Sequence, residues 1–171
     1  CGTMVQKYHL TEADYRGERF AGSPRDLKNN NDLLVLTRPE VIREIHAAYA
    51  AAGADIITTS TFSATPIGQH EFFHFSEREE HDQAYYDEVL QNEQLALLAR
   101  EMNLAACALA REAAVEAEER ENRTVLVAGS IGPMAVTTSL SPKVTDPGFR
   151  AVNFDQLYRA YRDQVMALAD G

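Results

Sequence analysis

The chain has 171 residues, the size of one ordinary domain, and is long enough to bury a substantial apolar core. Hydrophobic residues make up 45% and charged residues 25%, a composition that excludes a disordered or fibrous chain. The formal net charge of -10 disfavours nucleic acid as the main partner, because an acidic surface repels phosphate backbones. The uncharged run of residues 56–70 is rich in Thr and Ser, so we predict no membrane-spanning segment. Two cysteines cannot form a disulfide framework, and we expect a reduced, cytoplasmic protein.

The negative charge is concentrated in one part of the chain. Residues 71–122 contain 14 acidic and 4 basic side chains, whereas acids and bases balance over the remaining residues. We interpret this segment as the solvated face of a long helix together with a surface loop.

The predicted elements begin with a short helix at the N-terminus and a long polar loop over residues 11–36. Thr37 and Glu40 then predict a capping box at the start of a helix, and Gly53 supplies the left-handed residue that ends it. The β-branched run 54–59 predicts a short buried strand directly after that helix.

A long helix is predicted over residues 93–121, and a second short buried strand over residues 124–129. Two strands joined by a crossover helix form a parallel βαβ unit. Asn153 and Gln156 predict the capping box of a last helix. Its predicted inward face consists of Leu157, Tyr161, Val165 and Leu168. Because two parallel strands alone leave edges and faces uncovered, the pattern predicts an α/β fold, a partial (β/α)8 TIM barrel comprising roughly its first half.

In such a barrel the binding residues lie on the loops at the carboxyl ends of the strands. The first of these loops presents hydroxyl groups and one aromatic ring, from Thr59, Ser60, Thr61 and Phe62. The hydroxyls can bind the carboxylate or amine of a small substrate, and the ring can form a wall against an apolar chain. The alternative is that the threonines only pack against the strand and cap the next turn.

The second loop, residues 129–133, contains Gly132, which allows the backbone to approach a ligand closely or simply to turn tightly. His70 and His74 would share a helix face, as metal ligands can, but we expect their segment to be exposed and predict no metal site there. Cys107 lies among alanines and is interpreted as inert packing.

Several stretches in order along the chain resemble the homocysteine-binding module of cobalamin-dependent methionine synthases. The matching segments are 2–6, 10–20, 30–36, 53–62, 129–133, 141–142 and 146–147. Many members have Glu-Thr-Asn-Thr-Phe where this chain has Thr58-Thr59-Ser60-Thr61-Phe62. Together these segments extend over essentially the whole chain, and the long first motif is highly specific.

The resemblance implies transfer of a methyl group to the thiolate of homocysteine, giving methionine. It implies a zinc ion held by three cysteine thiolates, which are expected beyond Gly171. It also implies that methylcobalamin delivers the methyl group and that methyltetrahydrofolate recharges it, both on other modules of the same full-length protein.

The resemblance also assigns roles within this chain. Residues 1–171 would be the N-terminal portion of the barrel, and the segment at about 69–92 would be an acidic surface insertion. The isolated segment is expected to be inactive. The substrate-binding residues that the resemblance implies are Thr59, Ser60, Thr61, Phe62 and Gly132.

Two other interpretations stay open. A pterin-binding methyltransferase barrel would need an acidic residue and an Asn at the strand ends, and neither predicted strand end carries an Asn. A non-catalytic half-barrel that serves as an interaction module would associate through its unpaired edges as its concentration rises.

Overall fold

The computed structural model describes residues 2–74, 76 and 78–171. Cys1 and two residues of the predicted insertion, Phe75 and Glu77, therefore lie outside the described residues. The helices are α1 (Gly2–Val5), α2 (Glu12–Arg16), α3 (Leu34–Thr37), α4 (Pro39–Ala51), α5 (Pro66–Phe73), α6 (Gln83–Gln91), α7 (Glu93–Glu121) and α8 (Phe154–Asp170). The strands are β1 (Ile56–Thr58) and β2 (Leu126–Ala128), and short 3-10 turns lie at Gln6–Tyr8 and Asn31–Leu33. No helix in this described part of the chain is both long and apolar enough to cross a membrane.

The two strands pair in parallel, with Ile57 opposite Val127, so the predicted βαβ unit is confirmed. Each strand has three residues, fewer than predicted. Only one face of the pair is covered: Ile57 is buried in an apolar cluster with alanines of α7, whereas Ile56 is 55% and Leu126 58% exposed. The prediction of buried strands is therefore wrong for Ile56 and Leu126, because helices cover one side of the sheet and no described element covers the other.

Helix α4 begins differently from the prediction. Thr37 is the last residue of α3, and its hydroxyl donates to the carbonyl of Leu33 at 3.4 Å instead of capping α4. Arg38 occupies the N-cap position, but its side chain forms an ion pair with Asp14 and no capping hydrogen bond to the described first turn of α4, so the predicted capping box is absent there. The end of α4 agrees with the prediction, since Gly53 has a φ of +92°.

Helix α7 has the predicted bounds and lies at the centre of the helical packing. Asn92 caps it through a hydrogen bond from the amide of Leu95, and Asn122 ends it in the left-handed conformation. Its apolar side chains contribute to all three core clusters, and α4 and α8 pack against it. Helix α8 has the predicted capping box, with reciprocal hydrogen bonds between Asn153 and Gln156.

Two segments predicted as loops contain packed helices. The stretch 11–36 contains α2 and the turn that leads into α3, and Glu12 accepts hydrogen bonds from the backbone amides of Leu27 and Lys28. The stretch around 69–92 contains most of α5 and all of α6, whose Tyr85 is buried in an apolar cluster. Polar composition misled the prediction, because in both segments polar side chains satisfy backbone groups while a few apolar ones reach the core.

Candidate functional site

A polar cavity of about 480 Å³ lies at the carboxyl end of β1. Four of the residues predicted from sequence line it: Thr59, Ser60, Thr61 and Phe62. Other lining residues come from the N-terminal segment and from the predicted loop 11–36, among them Asn29, Asn31 and Asp32. We call residues 59–64 the β1 loop and residues 129–152 the β2 loop.

Two of the lining hydroxyls bind the protein itself. Thr61 Oγ1 donates to the carbonyl of Ser130 at 2.7 Å, and Thr59 Oγ1 accepts from the amide of Ser130 at 2.8 Å. The two hydroxyls are 2.7 Å apart, and because the proton of Thr61 is already used, Thr59 donates in this pair. These threonines therefore join the ends of β1 and β2, which leaves neither hydroxyl proton for a ligand.

Ser60 lies between these threonines in sequence and differs from them in its bonding. It is buried and lines the cavity, and its hydroxyl has no hydrogen-bond partner in the described part of the chain. A hydroxyl that borders a polar cavity in this way can donate to, or accept from, a polar group of a ligand.

Phe62 forms the boundary between this cavity and a neighbouring groove. Its side chain is 57% exposed, an unusual position for a phenylalanine beside a buried polar cluster. Gly132 lies against it: the Gly132 amide donates to the Phe62 carbonyl at 3.0 Å, and a Cβ atom at residue 132 would lie 2.4 Å from that oxygen. The close approach that Gly132 permits is therefore an approach to Phe62 of the β1 loop.

The β1 loop is held by donors from four other parts of the chain, one for each of four successive carbonyls. Gln164 Nε2 donates to the Thr61 carbonyl at 2.7 Å, and the amide of Gly132 donates to the Phe62 carbonyl. Gln69 Nε2 donates to the Ser63 carbonyl at 3.1 Å. Asn103 Nδ2 donates to the carbonyl of the last residue of the loop at 2.7 Å. The geometry of the cavity wall is thus set by buried amide side chains of α5, α7 and α8.

Sequence reasoning missed the residues that come from the first third of the chain. Asn31 accepts from the hydroxyl of Tyr15 at 2.8 Å, Asn29 has a φ of +75°, and Asp32 accepts from Ser63. The run Asn29-Asn30-Asn31-Asp32 immediately before an apolar helix was the available signal, since such side chains commonly bind nearby backbone and stabilise left-handed residues.

A groove of about 360 Å³ adjoins the cavity, with Phe62 and Ser63 between them. His70 lies at its base and is 3% exposed, so the expectation of an exposed histidine segment is wrong. His70 Nδ1 lies 2.9 Å from the hydroxyl of Tyr85, and His81 stacks on that ring at a centroid distance of 4.0 Å. Burial lowers the pKa of His70 to about 4, so its imidazole is neutral at pH 7.

No three His, Cys, Asp or Glu side chains among residues 2–74, 76 and 78–171 are arranged to hold a metal ion. Cys107 is buried on α7, its Sγ lies 3.8 Å from the carbonyl of Leu168, and burial raises the pKa of its thiol. These features agree with the packing interpretation of Cys107 and do not fit a zinc ligand.

The chain belongs to the homocysteine S-methyltransferase family, which it matches over residues 1–171. Its fold is similar to part of the homocysteine methyltransferase MmuM from Escherichia coli. In the metallated form of that enzyme the match has 22% sequence identity and a TM-score of 0.62, and covers 98% of this chain and 47% of that one. In the oxidized form the identity is 22% and the TM-score 0.56, with 98% and 46% covered. The chain therefore spans about half the length of these structures.

Proposed function

We propose that this chain supplies the amino-acid-binding wall of a homocysteine S-methyltransferase. Membership of the family supports methyl transfer to homocysteine, and the observation that carries the proposal here is the polar cavity at the carboxyl end of β1. In parallel α/β folds, small-molecule sites lie at this end of the strands. The cavity is large enough for a small amino acid.

In this proposal Ser60 and Phe62 contact the substrate, and the other predicted residues act through them. The Ser60 hydroxyl hydrogen-bonds the polar amino-acid end of homocysteine, and the Phe62 ring lies along its apolar side chain. Thr59, Thr61 and Gly132 hold the β1 loop in place through the bonds described above. The reaction forms a sulfur–methyl bond as the methyl–donor bond breaks, and the thiol proton leaves to solvent.

The methyl donor and the metal are further parts of the proposal. The resemblance to cobalamin-dependent methionine synthase supports methylcobalamin as donor and methyltetrahydrofolate as its source, each bound by other modules. It also supports a zinc ion, which would bind the sulfur of homocysteine and lower the pKa of its thiol. Because the described residues do not fit a zinc site, we assign no step of the reaction within this chain to the metal.

The test is the formation of methionine from homocysteine and methylcobalamin, measured by mass spectrometry in the protein as its source cell makes it. We expect methionine in that sample and none from the 171-residue chain alone. Ser60→Ala should raise KM for homocysteine by about tenfold or more, since a hydrogen bond to a charged ammonium or carboxylate group contributes about 1.5–3 kcal/mol. Ser139→Ala in the β2 loop is the matched control and should leave KM unchanged, because among the described residues the Ser139 hydroxyl bonds only to the hydroxyl of neighbouring Thr137.

Two outcomes would favour the other interpretations. Tight binding of methyltetrahydrofolate without any methyl transfer to homocysteine would favour a pterin-binding barrel. Concentration-dependent association without binding of either compound would favour a non-catalytic interaction module.

A further inference from the structure

We infer that Asp32 is a positioning residue of the homocysteine pocket. Its buried carboxylate holds Ser63, and through Ser63 it fixes the part of the β1 loop that carries Ser60 and Phe62. The inference rests on the proposed function for its kinetic consequence, whereas its structural basis is independent of any substrate.

The geometry of Asp32 is that of a rigid anchor. It lies in the 3-10 turn Asn31–Leu33 and is 5% exposed. The next two residues, Leu33 and Leu34, are completely buried in the main core cluster, which fixes the backbone of the turn. One carboxylate oxygen, Oδ2, accepts from both the amide of Ser63 at 2.5 Å and its hydroxyl at 2.8 Å.

Among the described residues, the hydrogen bonds of the Asp32 carboxylate are all formed with the β1 loop. Within the described chain no Lys, Arg or His forms an ion pair with this carboxylate. A buried carboxylate needs compensating donors, and the two groups of Ser63 are the donors it has. Asp32 and Ser63 both line the cavity, so this contact forms part of the cavity wall.

The effect of losing this contact should be local. The carbonyls of residues 61–64 would keep their donors from Gln164, Gly132, Gln69 and Asn103. The amide of Ser63, next to Phe62, would lose its acceptor and the loop would relax at that point. We therefore expect a change in substrate affinity rather than loss of the fold.

The experiment compares Asp32→Ala, Asp32→Asn and Ser63→Ala in the protein as its source cell makes it. Asp32→Ala should raise KM for homocysteine about tenfold and change kcat less than about twofold, because the loss of a charge-assisted hydrogen bond changes affinity on this scale. Asp32→Asn keeps an oxygen that accepts from the Ser63 amide and should restore KM to within about threefold of wild type. Ser63→Ala, which keeps that amide, should have a similarly small effect.

Hydrogen exchange at the Ser63 amide gives a readout that needs no substrate. Exchange should be faster in Asp32→Ala and close to wild type in Asp32→Asn. Unchanged exchange in Asp32→Ala would overturn the inference, as would an Asp32→Asn variant as impaired in KM as Asp32→Ala, because the charge and not the hydrogen bond would then matter. Absence of homocysteine turnover in the wild-type protein would contradict the proposed function alone, and the exchange rates would still decide the role of Asp32.

Discussion

The two loops at the carboxyl ends of the strands are held in contrasting ways. In the β1 loop, Thr61 and Ala64 receive hydrogen bonds from side chains 103 and 39 residues away in sequence. In the β2 loop beyond Met134, the bonds of Arg150 to backbone carbonyls span at most 12 residues. The β1 loop is therefore held by buried side chains of distant helices, whereas the middle of the β2 loop, residues 137–148, forms its hydrogen bonds with other residues of that loop in the described part of the chain.

This difference is what a preorganised binding site requires. A cavity wall whose backbone groups are satisfied by buried side chains loses little conformational freedom when a ligand binds. The candidate substrate contacts Ser60 and Phe62 both lie on the globally held loop. Substitutions that release this loop should affect binding and stability together, whereas most changes at residues 137–148 of the β2 loop should affect neither.

The largest effect is expected at Gly132, where the two loops meet. In Gly132→Ala the new Cβ would lie 2.4 Å from the Phe62 carbonyl and 2.6 Å from its ring, so the two loops must separate. We expect a loss of about 3 kcal/mol in the free energy of unfolding, measured by urea denaturation, together with weaker homocysteine binding. A loss below about 0.5 kcal/mol would show that the loops do not meet in this way. Gly22→Ala, where a Cβ meets nothing within 4 Å, is the control.

A smaller effect is expected when one donor of the β1 loop is removed. Gln164→Leu removes the shorter of the two hydrogen bonds to the Thr61 carbonyl, leaving the one from the Ala64 amide at 3.3 Å, and should lower the free energy of unfolding by about 2 kcal/mol. Arg150→Ala removes side-chain bonds to carbonyls of the exposed β2 loop and should cost about 0.5 kcal/mol or less. Equal losses in the two variants would remove the contrast between the loops.

The smallest effect concerns His70, in the groove between the loops. Its pKa is lowered to about 4 by burial, against an ordinary value of 6.5. Between these pH values the unfolded chain binds a proton that the folded chain does not, so His70 lowers stability as the pH falls from 6.5 towards 4. Between pH 7 and pH 5, protonation of His70 in the unfolded chain should lower the free energy of unfolding of wild type by about 1–2 kcal/mol. In His70→Gln this contribution is absent, so the free energy of unfolding should fall by about 1–2 kcal/mol less than in wild type over the same pH range.

Denaturant titrations at pH 7 and pH 5 provide this measurement. Tyr85→Phe removes the hydroxyl that lies 2.9 Å from His70 and keeps the imidazole, so it should retain the pH dependence of wild type. An identical pH dependence in wild type and His70→Gln would show that His70 titrates as an exposed histidine does.

Elements with strong local signals were predictable from the sequence. The pattern of residues 93–121 predicts the bounds of α7, and Asn153 and Gln156 predict the capping box of α8. The two β-branched runs 54–59 and 124–129 contain the strands that pair in parallel. Local patterns also misled where another element competed. Thr37 has the spacing of a capping residue for α4, but α3 extends to Thr37 and takes its hydroxyl.

The network behind the site could not be predicted, because it joins distant segments. On the predicted inward face of α8, Val165 is 46% exposed, and Leu157, Tyr161 and Leu168 are only partly buried. The residues of α8 that are buried are Gln156, Ala160, Gln164 and Ala167. An apolar pattern assigns glutamine to the solvent side, yet Gln164 is buried because it satisfies a carbonyl of the β1 loop. The role of Asp32 could not be predicted either, because its partner Ser63 lies 31 residues away in the sequence.

The most direct test of this account is a crystal structure of the protein with homocysteine bound. We predict that the amino acid occupies the cavity at the end of β1, with a polar group within hydrogen-bond distance of the Ser60 hydroxyl and its side chain against the Phe62 ring. The Thr59 and Thr61 hydroxyls should keep their bonds to Ser130 in that complex. Homocysteine bound in the groove above His70, or bound through Thr59 and Thr61 after these bonds break, would contradict the account.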